Sequence, residues 1–261
     1  MPRICLTKSA GRVQNLRVIH RKVVASHRGE TESPTSTQHI STIMSSSSTC
    51  PHTNGWHYTS AGKSISNLIG VRATIDTKTP TLKCESSGAT FPTHSAAFAS
   101  LVFTGNYNAQ SGWARYRNSP SSSIVGPKVY MEGHGPTGHT AVYGVAPTGG
   151  KEYKLEVDAS TGIVSAYYDG AAQPWATMQD DAWKQTGVLA GFLGEIYVLE
   201  TNMPGTSASP CNFVTCQYKQ PGGFYTSVGL VSTDVQSEDT NEWGADWLSG
   251  SSFKIYDKHP L

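Results

Sequence analysis

Short runs that alternate apolar and polar residues, separated by turns rich in glycine, proline and asparagine, recur from about Trp56 onward. An alternation with a period of two is typical of strands that bury one face. The best helix candidate, Thr177–Gln185, is short, and no longer segment shows a convincing apolar period of 3.6. The sequence therefore predicts an all-β fold, an antiparallel β-sandwich or jelly roll.

The predicted strands share β-rich composition and neighbouring turn residues. They are Gly70–Thr77, Ala97–Thr104, Gly112–Tyr116, Val125–Met131, Tyr153–Asp158, Ile163–Asp169, Val188–Leu199, Phe213–Tyr218 and Phe253–Tyr256. The clearest pair is a hairpin that turns at Ala159-Ser-Thr-Gly162. Residues 49–261 are predicted to form a single β-sandwich domain, and residues 1–48 a flexible, basic, Ser/Thr-rich arm that is disordered.

The charge of the chain is divided between these two parts. Residues 1–43 carry seven Lys/Arg and two acids, a net of +5, which leaves 13 Lys/Arg and 17 Asp/Glu, a net of −4, for residues 44–261. The domain has no basic stripe, so we expect no nucleic-acid partner. No segment approaches the ~20 apolar residues of a membrane span. The arm lacks the apolar run of a recognisable signal peptide, and it reads either as a basic leader or as sequence before a start at Met44.

Four cysteines fall in the predicted domain, Cys50, Cys84, Cys211 and Cys216. Cys211 and Cys216 bracket four residues and could close a small disulfide ring, and Cys50 with Cys84 is a plausible second bridge. A zinc site is the weaker alternative because no C-x2-C pair exists, and free buried thiols remain open. Disulfides would indicate an oxidising compartment, hence an extracellular, secreted protein.

Two further groups could bind metal. His134 and His139 lie in a Gly-rich turn, where exposed loop histidines are the better interpretation because no third ligand is near. The acidic run 234–246 could bind calcium, but a solvated loop anchored by Trp243 and Trp247 is more typical. We expect neither a metal nor a cofactor.

Two polar residues stand inside otherwise apolar strands. Gln110 shares a strand face with Gly112, Ala114 and Tyr116, and Glu195 shares one with Tyr197 and Leu199. A carboxylate in the middle of such a strand is uncommon in a core unless it is paired. The plainer interpretation is that both strands are half exposed and these residues face solvent.

The two strands resemble a known family. The run Ala-Gln-Ser-Gly-Trp-Ala-Arg-Tyr at 109–116 resembles the glutamine-bearing strand of the glutamic peptidases, the eqolisins and neprosin-type domains. The run Gly-Glu-Ile-Tyr-Val-Leu-Glu at 194–200 resembles the family's glutamate strand, and residues 153–170 its middle hairpin. The order of glutamine before glutamate also matches.

The resemblance implies a concanavalin A-like sandwich and a secreted endopeptidase without a cofactor. Glu195 would be the general base that activates water, and Gln110 would stabilise the oxyanion. The substrate would be a polypeptide in a cleft walled by four aromatic residues, which are Tyr107, Trp113, Tyr116 and Tyr197.

Two alternatives remain open. A sheet lined by Tyr and Trp also suits a non-catalytic carbohydrate-binding or structural protein, because aromatic faces stack on sugar rings. A polysaccharide-cleaving enzyme would use two carboxylates, for which Glu132 could partner Glu195.

Overall fold

The computed structural model describes residues 56–82, 93–117, 123–136, 138–197 and 201–260. Within these ranges the chain forms fifteen β-strands and two short 3-10 turns. The strands are β1 Trp56–Leu68, β2 Gly70–Asp76, β3 Thr93–Val102, β4 Asn108–Arg117, β5 Val125–Gly135, β6 Gly138–Tyr143, β7 Gly150–Asp158, β8 Ile163–Tyr168, β9 Ala176–Gln179, β10 Gly187–Tyr197, β11 Cys211–Lys219, β12 Thr226–Ser227, β13 Val235–Ser237, β14 Trp243–Ser249 and β15 Ser252–Asp257. The 3-10 turns are Asp181–Trp183 and Ser232–Asp234.

The strands form two antiparallel sheets. The seven-stranded sheet has the order β13-β1-β10-β3-β4-β5-β6, and the second sheet has the order β14-β15-β11-β2-β7-β8-β9, with β12 added to β11. This arrangement confirms the predicted all-β sandwich, including the hairpin of β7 and β8. The described residues contain no helix with the length and hydropathy of a membrane span.

Alternate residues of the central strands fill the space between the sheets. Leu101 on β3, Trp113 on β4 and Phe192 on β10 are fully buried in this main core. The Trp113 indole donates to the backbone oxygen of Asp76 on β2 at 3.0 Å, so its polar edge is satisfied across the core. The period-two alternation thus assigns one face of the seven-stranded sheet to the core.

The opposite face of the seven-stranded sheet, here called the outer face, carries a second buried cluster. Its members come from β3, β4, β5 and β10, with two tyrosines packed against them. They are Ala96, Phe98, Ala114, Tyr130 and Leu193, with Tyr58 and Tyr116. A face that buries large side chains of its own is unlike the solvated face of an ordinary sheet, which is polar.

A close backbone approach lies at the centre of the outer face. A Cβ on Gly112 would stand 2.0 Å from the Ala97 oxygen and 2.6 Å from the Phe98 Cα, so a larger residue does not fit there. Glycine in a strand commonly marks such an approach. Here it brings β4 close against β3 beside Gln110.

The best helix candidate, Thr177–Gln185, does not form a helix. Its first residues form β9, which pairs with β8, and the chain then makes the 3-10 turn Asp181–Trp183. Asp180 caps this turn, since its Oδ1 accepts from the Ala182 amide at 2.8 Å. The short segment pairs with a sheet edge because it is too short to gain much as an isolated helix.

The predicted disulfide between Cys211 and Cys216 is also wrong, since both are free and buried. The residues between them belong to β11 rather than to a loop. Five residues of extended strand separate the Cα atoms by about 17 Å, whereas a disulfide needs about 5.5 Å. Cys50 and Cys84 lie outside the described residues.

The burial of these two thiols predicts their reactivity. Burial raises the pKa of both Cys211 and Cys216, so neither forms the thiolate that reacts with alkylating agents. We expect peptide mapping to find both unmodified after iodoacetamide treatment of the native protein and both alkylated after treatment in denaturant. A peptide pair linked through Cys211 and Cys216 before reduction would contradict this assignment.

Candidate functional site

The strand register places Gln110 and Glu195 on the same face. Glu195 on β10 is opposite Ala96 on β3, which is opposite Ala114 on β4. Ala114 and Gln110 are four residues apart on one strand and therefore point to the same side. That side is the outer face, because Ala96 and Ala114 belong to its buried cluster.

Tyr130 on β5 contacts Gln110 and lies within range of the charge of Glu195. Two strand spacings and four residues would separate the Gln110 and Glu195 Cα atoms by about 17 Å in a flat sheet. The Tyr130 hydroxyl donates to the Gln110 Oε1 at 3.3 Å. Burial first, and then the charge of Glu195, raise the pKa of Tyr130 well above its usual value. The phenol therefore stays protonated and is close enough to both groups to sense each.

Gln110 is 4% exposed and its amide is oriented by two contacts. Its Oε1 accepts from Tyr130, and its Nε2 donates to the Asn108 Oδ1 at 3.1 Å. Because a primary amide has two N–H groups, one remains to donate to a ligand. Two buried atoms nearby on this face, the Asn108 Nδ2 and the Ser100 Oγ, have no hydrogen-bond partner within the described part of the chain. The surroundings of Gln110 can thus accept further polar groups.

Glu195 is 6% exposed and has a histidine beside it. The His94 Nε2 lies 3.3 Å from the Glu195 Oε1. Burial raises the pKa of the Glu195 carboxyl, and the contact with His94 opposes this shift without cancelling it. A carboxyl group with a raised pKa is a better proton acceptor once ionised than an exposed one.

A second carboxylate on the outer face behaves differently. Glu132 on β5 is directly opposite Gln110 and lies 2.7 Å from the His134 Nε2. Burial alone would raise its pKa, but the hydrogen bond and charge of His134, together with the charges of His94 and His139, outweigh burial, and the pKa of Glu132 is lowered. His134 in turn stacks on His139 with 5.5 Å between ring centroids. The outer face therefore holds two carboxyl groups whose pKa values move in opposite directions.

The aromatic residues predicted for the cleft wall divide between the two faces. Tyr116 and Tyr197 lie on the outer face, where Tyr116 packs on Tyr143 at 4.4 Å and Tyr197 on Trp56 at 4.8 Å. Trp113 and Tyr107 do not line this face. Trp113 is fully buried between the sheets, and Tyr107 packs against the same core. Trp113 is three residues from Gln110 on the same strand, so the two side chains point to opposite faces. The prediction that Trp113 lines the cleft wall is therefore wrong.

The interpretation that Gln110 and Glu195 simply face solvent is wrong, because both are buried. The acidic run is not one solvated loop, because parts of it form β13 and β14. Trp243 is 3% exposed, and the Trp247 indole donates to the Leu230 oxygen at 3.0 Å. No group of three or more His, Cys, Asp or Glu among the described residues could hold a metal ion.

Three residues of the site were not among the sequence candidates, namely His94, Asn108 and Tyr130. Asn108 lies two residues before Gln110, so strand alternation could have found it. His94 and Tyr130 lie on other strands, and only the pairing register brings them to the pair. Single-strand patterns do not contain that register.

Two crystal structures of scytalido-glutamic peptidase, each with a transition-state analogue, are similar to this chain, with TM-scores of 0.51 and 0.52 and sequence identities of 12% and 13%. SCP-B, a member of the eqolisin family of peptidases in complex with the tripeptide Ala-Ile-His, matches with a TM-score of 0.50 and 12% identity. All three matches cover 78% of this chain and 100% of the other.

No family model matches the sequence, and no curated protein matches it. The resemblance to the glutamic peptidases is confirmed as a likeness of fold with low sequence identity.

The opposite pKa shifts of Glu195 and Glu132 predict opposite effects of neutralisation on stability. A raised folded-state pKa means that ionised Glu195 destabilises the fold near pH 7, so Glu195→Gln should raise the free energy of unfolding by roughly 1 kcal/mol. The lowered pKa of Glu132 means that its ionised form stabilises the fold, so Glu132→Gln should lower that free energy by a similar amount.

Urea denaturation near pH 7 and at about pH 3 checks both signs. Both differences from the wild type should shrink at the lower pH, where most carboxyl groups are protonated in both states. Each variant is the matched control of the other, and changes of the same sign near pH 7 would contradict the assignment.

Proposed function

We propose that this chain is a glutamic-type endopeptidase in which Glu195 is the general base and Gln110 stabilises the oxyanion. The observation that carries the proposal is that both side chains are buried on one face of the sheet, where Tyr130 donates a hydrogen bond to Gln110. The shared fold of the glutamic peptidases agrees with it.

The proposed reaction begins with a water bound by Glu195, and the substrate carbonyl lies between this water and Gln110. Ionised Glu195 takes a proton from this water while the water oxygen attacks the peptide carbonyl carbon. The carbonyl electron pair moves onto the oxygen, where the second Nε2 N–H of Gln110 donates a hydrogen bond to it. When the C–N bond breaks, the proton on Glu195 passes to the leaving amine, so that the carboxylate is restored.

The environment of each residue suits its role. A general base works best when its pKa is near the working pH, and burial moves the pKa of Glu195 upward from the ordinary carboxyl range. A neutral amide supplies a fixed dipole without a charge that would compete with Glu195. Because Asn108 and Tyr130 hold the amide in place, little reorganisation is needed when the oxyanion forms.

The proposed substrate is a polypeptide and the proposed location is outside the cell. The unpartnered Asn108 Nδ2 and Ser100 Oγ could bind the main chain of a substrate beside Gln110. The location no longer draws support from a Cys211–Cys216 disulfide, and it rests on the likeness to the glutamic peptidases.

Substitution of the two residues tests the proposal. With a denatured protein as substrate, Glu195→Gln should lower kcat/KM by about a thousandfold through loss of the base. Gln110→Ala should lower it by about a hundredfold through loss of the oxyanion donor. Cleavage is measured by release of new amino termini between acid and neutral pH.

The control is Glu152→Gln, which removes a carboxylate paired with Arg72 on the other sheet. It should leave cleavage unchanged. A folded wild type that cleaves no polypeptide, or variants at Gln110 and Glu195 that retain full activity, would overturn the proposal.

One observation favours a second candidate, a polysaccharide hydrolase that uses two carboxyl groups. The raised pKa of Glu195 and the lowered pKa of Glu132 are the pattern of an acid and an ionised partner on one face. Release of reducing ends from polysaccharides, abolished by Glu132→Gln as well as Glu195→Gln, would support this candidate. Polysaccharide binding without cleavage of glycan or polypeptide would instead favour a carbohydrate-binding protein.

A further inference from the structure

His94 is a buried histidine at the start of β3. It is opposite Tyr197 on β10 and Tyr116 on β4, so its side chain shares the outer face with Glu195. Only 8% of the residue is exposed. Neither the mechanism above nor the likeness of fold assigns it a role.

Two aromatic rings restrain the imidazole of His94. The Trp56 ring meets it edge-on at a centroid distance of 5.5 Å and an interplanar angle of 74°. The Tyr130 ring lies 6.4 Å away at 87° on β5. With its Nε2 3.3 Å from the Glu195 Oε1, the ring is fixed beside the carboxyl group and shielded from most solvent.

We propose that His94 is a positioning residue for Glu195, whose imidazole holds the carboxylate in place and, once protonated, places a positive charge beside it. The link to catalysis rests on the proposed function, whereas the coupling between the two side chains does not.

The other titratable groups of the outer face do not supply a positive charge in contact with Glu195. The titratable groups that surround Glu195 there are Tyr58 on β1, Tyr116 on β4, Lys128, Tyr130, Glu132 and His134 on β5, His139 and Tyr143 on β6, and Tyr197 on β10. The tyrosines are neutral near and below neutral pH. Lys128 lies in register with Glu195 but three strands away, on β5. His134 already contacts Glu132 at 2.7 Å. Within the described part of the chain, His94 is thus the cationic partner in contact with this carboxylate.

The contact has a defined consequence for the acid side of the pH profile. Imidazole groups are ordinarily protonated throughout the range in which carboxyl groups titrate. A positive charge 3.3 Å away favours the ionised carboxylate, and its removal favours the protonated one. Since a general base must be ionised, loss of His94 should move the acid limit of activity to higher pH.

The test compares two variants of His94 with the wild type and with a control variant at another histidine. His94→Gln removes the ring and the charge, and His94→Phe keeps an aromatic ring of similar shape. In both variants the acid limb of the kcat/KM profile should move to higher pH by about one unit. At a fixed pH on that limb, this shift is about a tenfold loss of activity. In His94→Gln, activity near neutral pH should fall much less.

The control is His57→Gln, which removes a histidine that lies 3.6 Å from Glu238 and contacts Trp243. Its acid limb should coincide with that of the wild type. An unchanged acid limb in both folded His94 variants would overturn the proposal.

A second measurement needs neither activity nor a folded His94 variant. The carboxyl carbon of Glu195 is followed by ¹³C NMR in the wild type, with the signal assigned by its absence in Glu195→Gln. We expect two inflections with pH, one from Glu195 itself and one from protonation of a neighbouring group in contact with it. A single inflection would overturn the coupling, whereas two inflections in a protein that cleaves no polypeptide would support it and refute only the peptidase proposal.

Discussion

The two-residue alternation of β3, β4 and β10 is the constraint on which the rest of this structure depends. It sends Leu101, Trp113 and Phe192 into the core between the sheets and leaves the other parity to the outer face. A shift of one residue in the register of β4 would exchange Gln110 with its neighbour and bury the amide in the main core. The stability of the sandwich and the geometry of the site are therefore set by the same register.

The outer face can hold buried polar groups because a small cluster of apolar side chains surrounds them there. Phe98, Leu193 and Tyr130 exclude water around Gln110 and Glu195, which strengthens each electrostatic contact. The missing side chain at Gly112 permits the close approach of β3 and β4 on which this arrangement is built. An enzyme site needs such support, because a base and an oxyanion donor act only when they are held in place.

The sequence supports part of this picture and not the rest. Alternation predicted most strands and the shared face of Gln110 and Tyr116, because the residues that share a face can be counted along a single strand. It left β9 within the best helix candidate and placed a cysteine-closed ring at the start of β11, because pairing with a neighbouring strand decided both. The partners of the polar pair, His94 and Tyr130, depend on registers between distant segments, which no local pattern contains.

The two Glu–His pairs differ in whether burial or the neighbouring groups prevail at the carboxyl group. Glu132 lies 2.7 Å from its histidine, and this contact, together with the charges of His94 and His139, overcomes burial, so the group stays ionised and is a weak proton acceptor. Glu195 lies 3.3 Å from His94, and there burial prevails. This difference leaves Glu195 with the higher proton affinity, which a general base requires. A histidine in closer contact would hold Glu195 ionised at lower pH but would make it a poorer base.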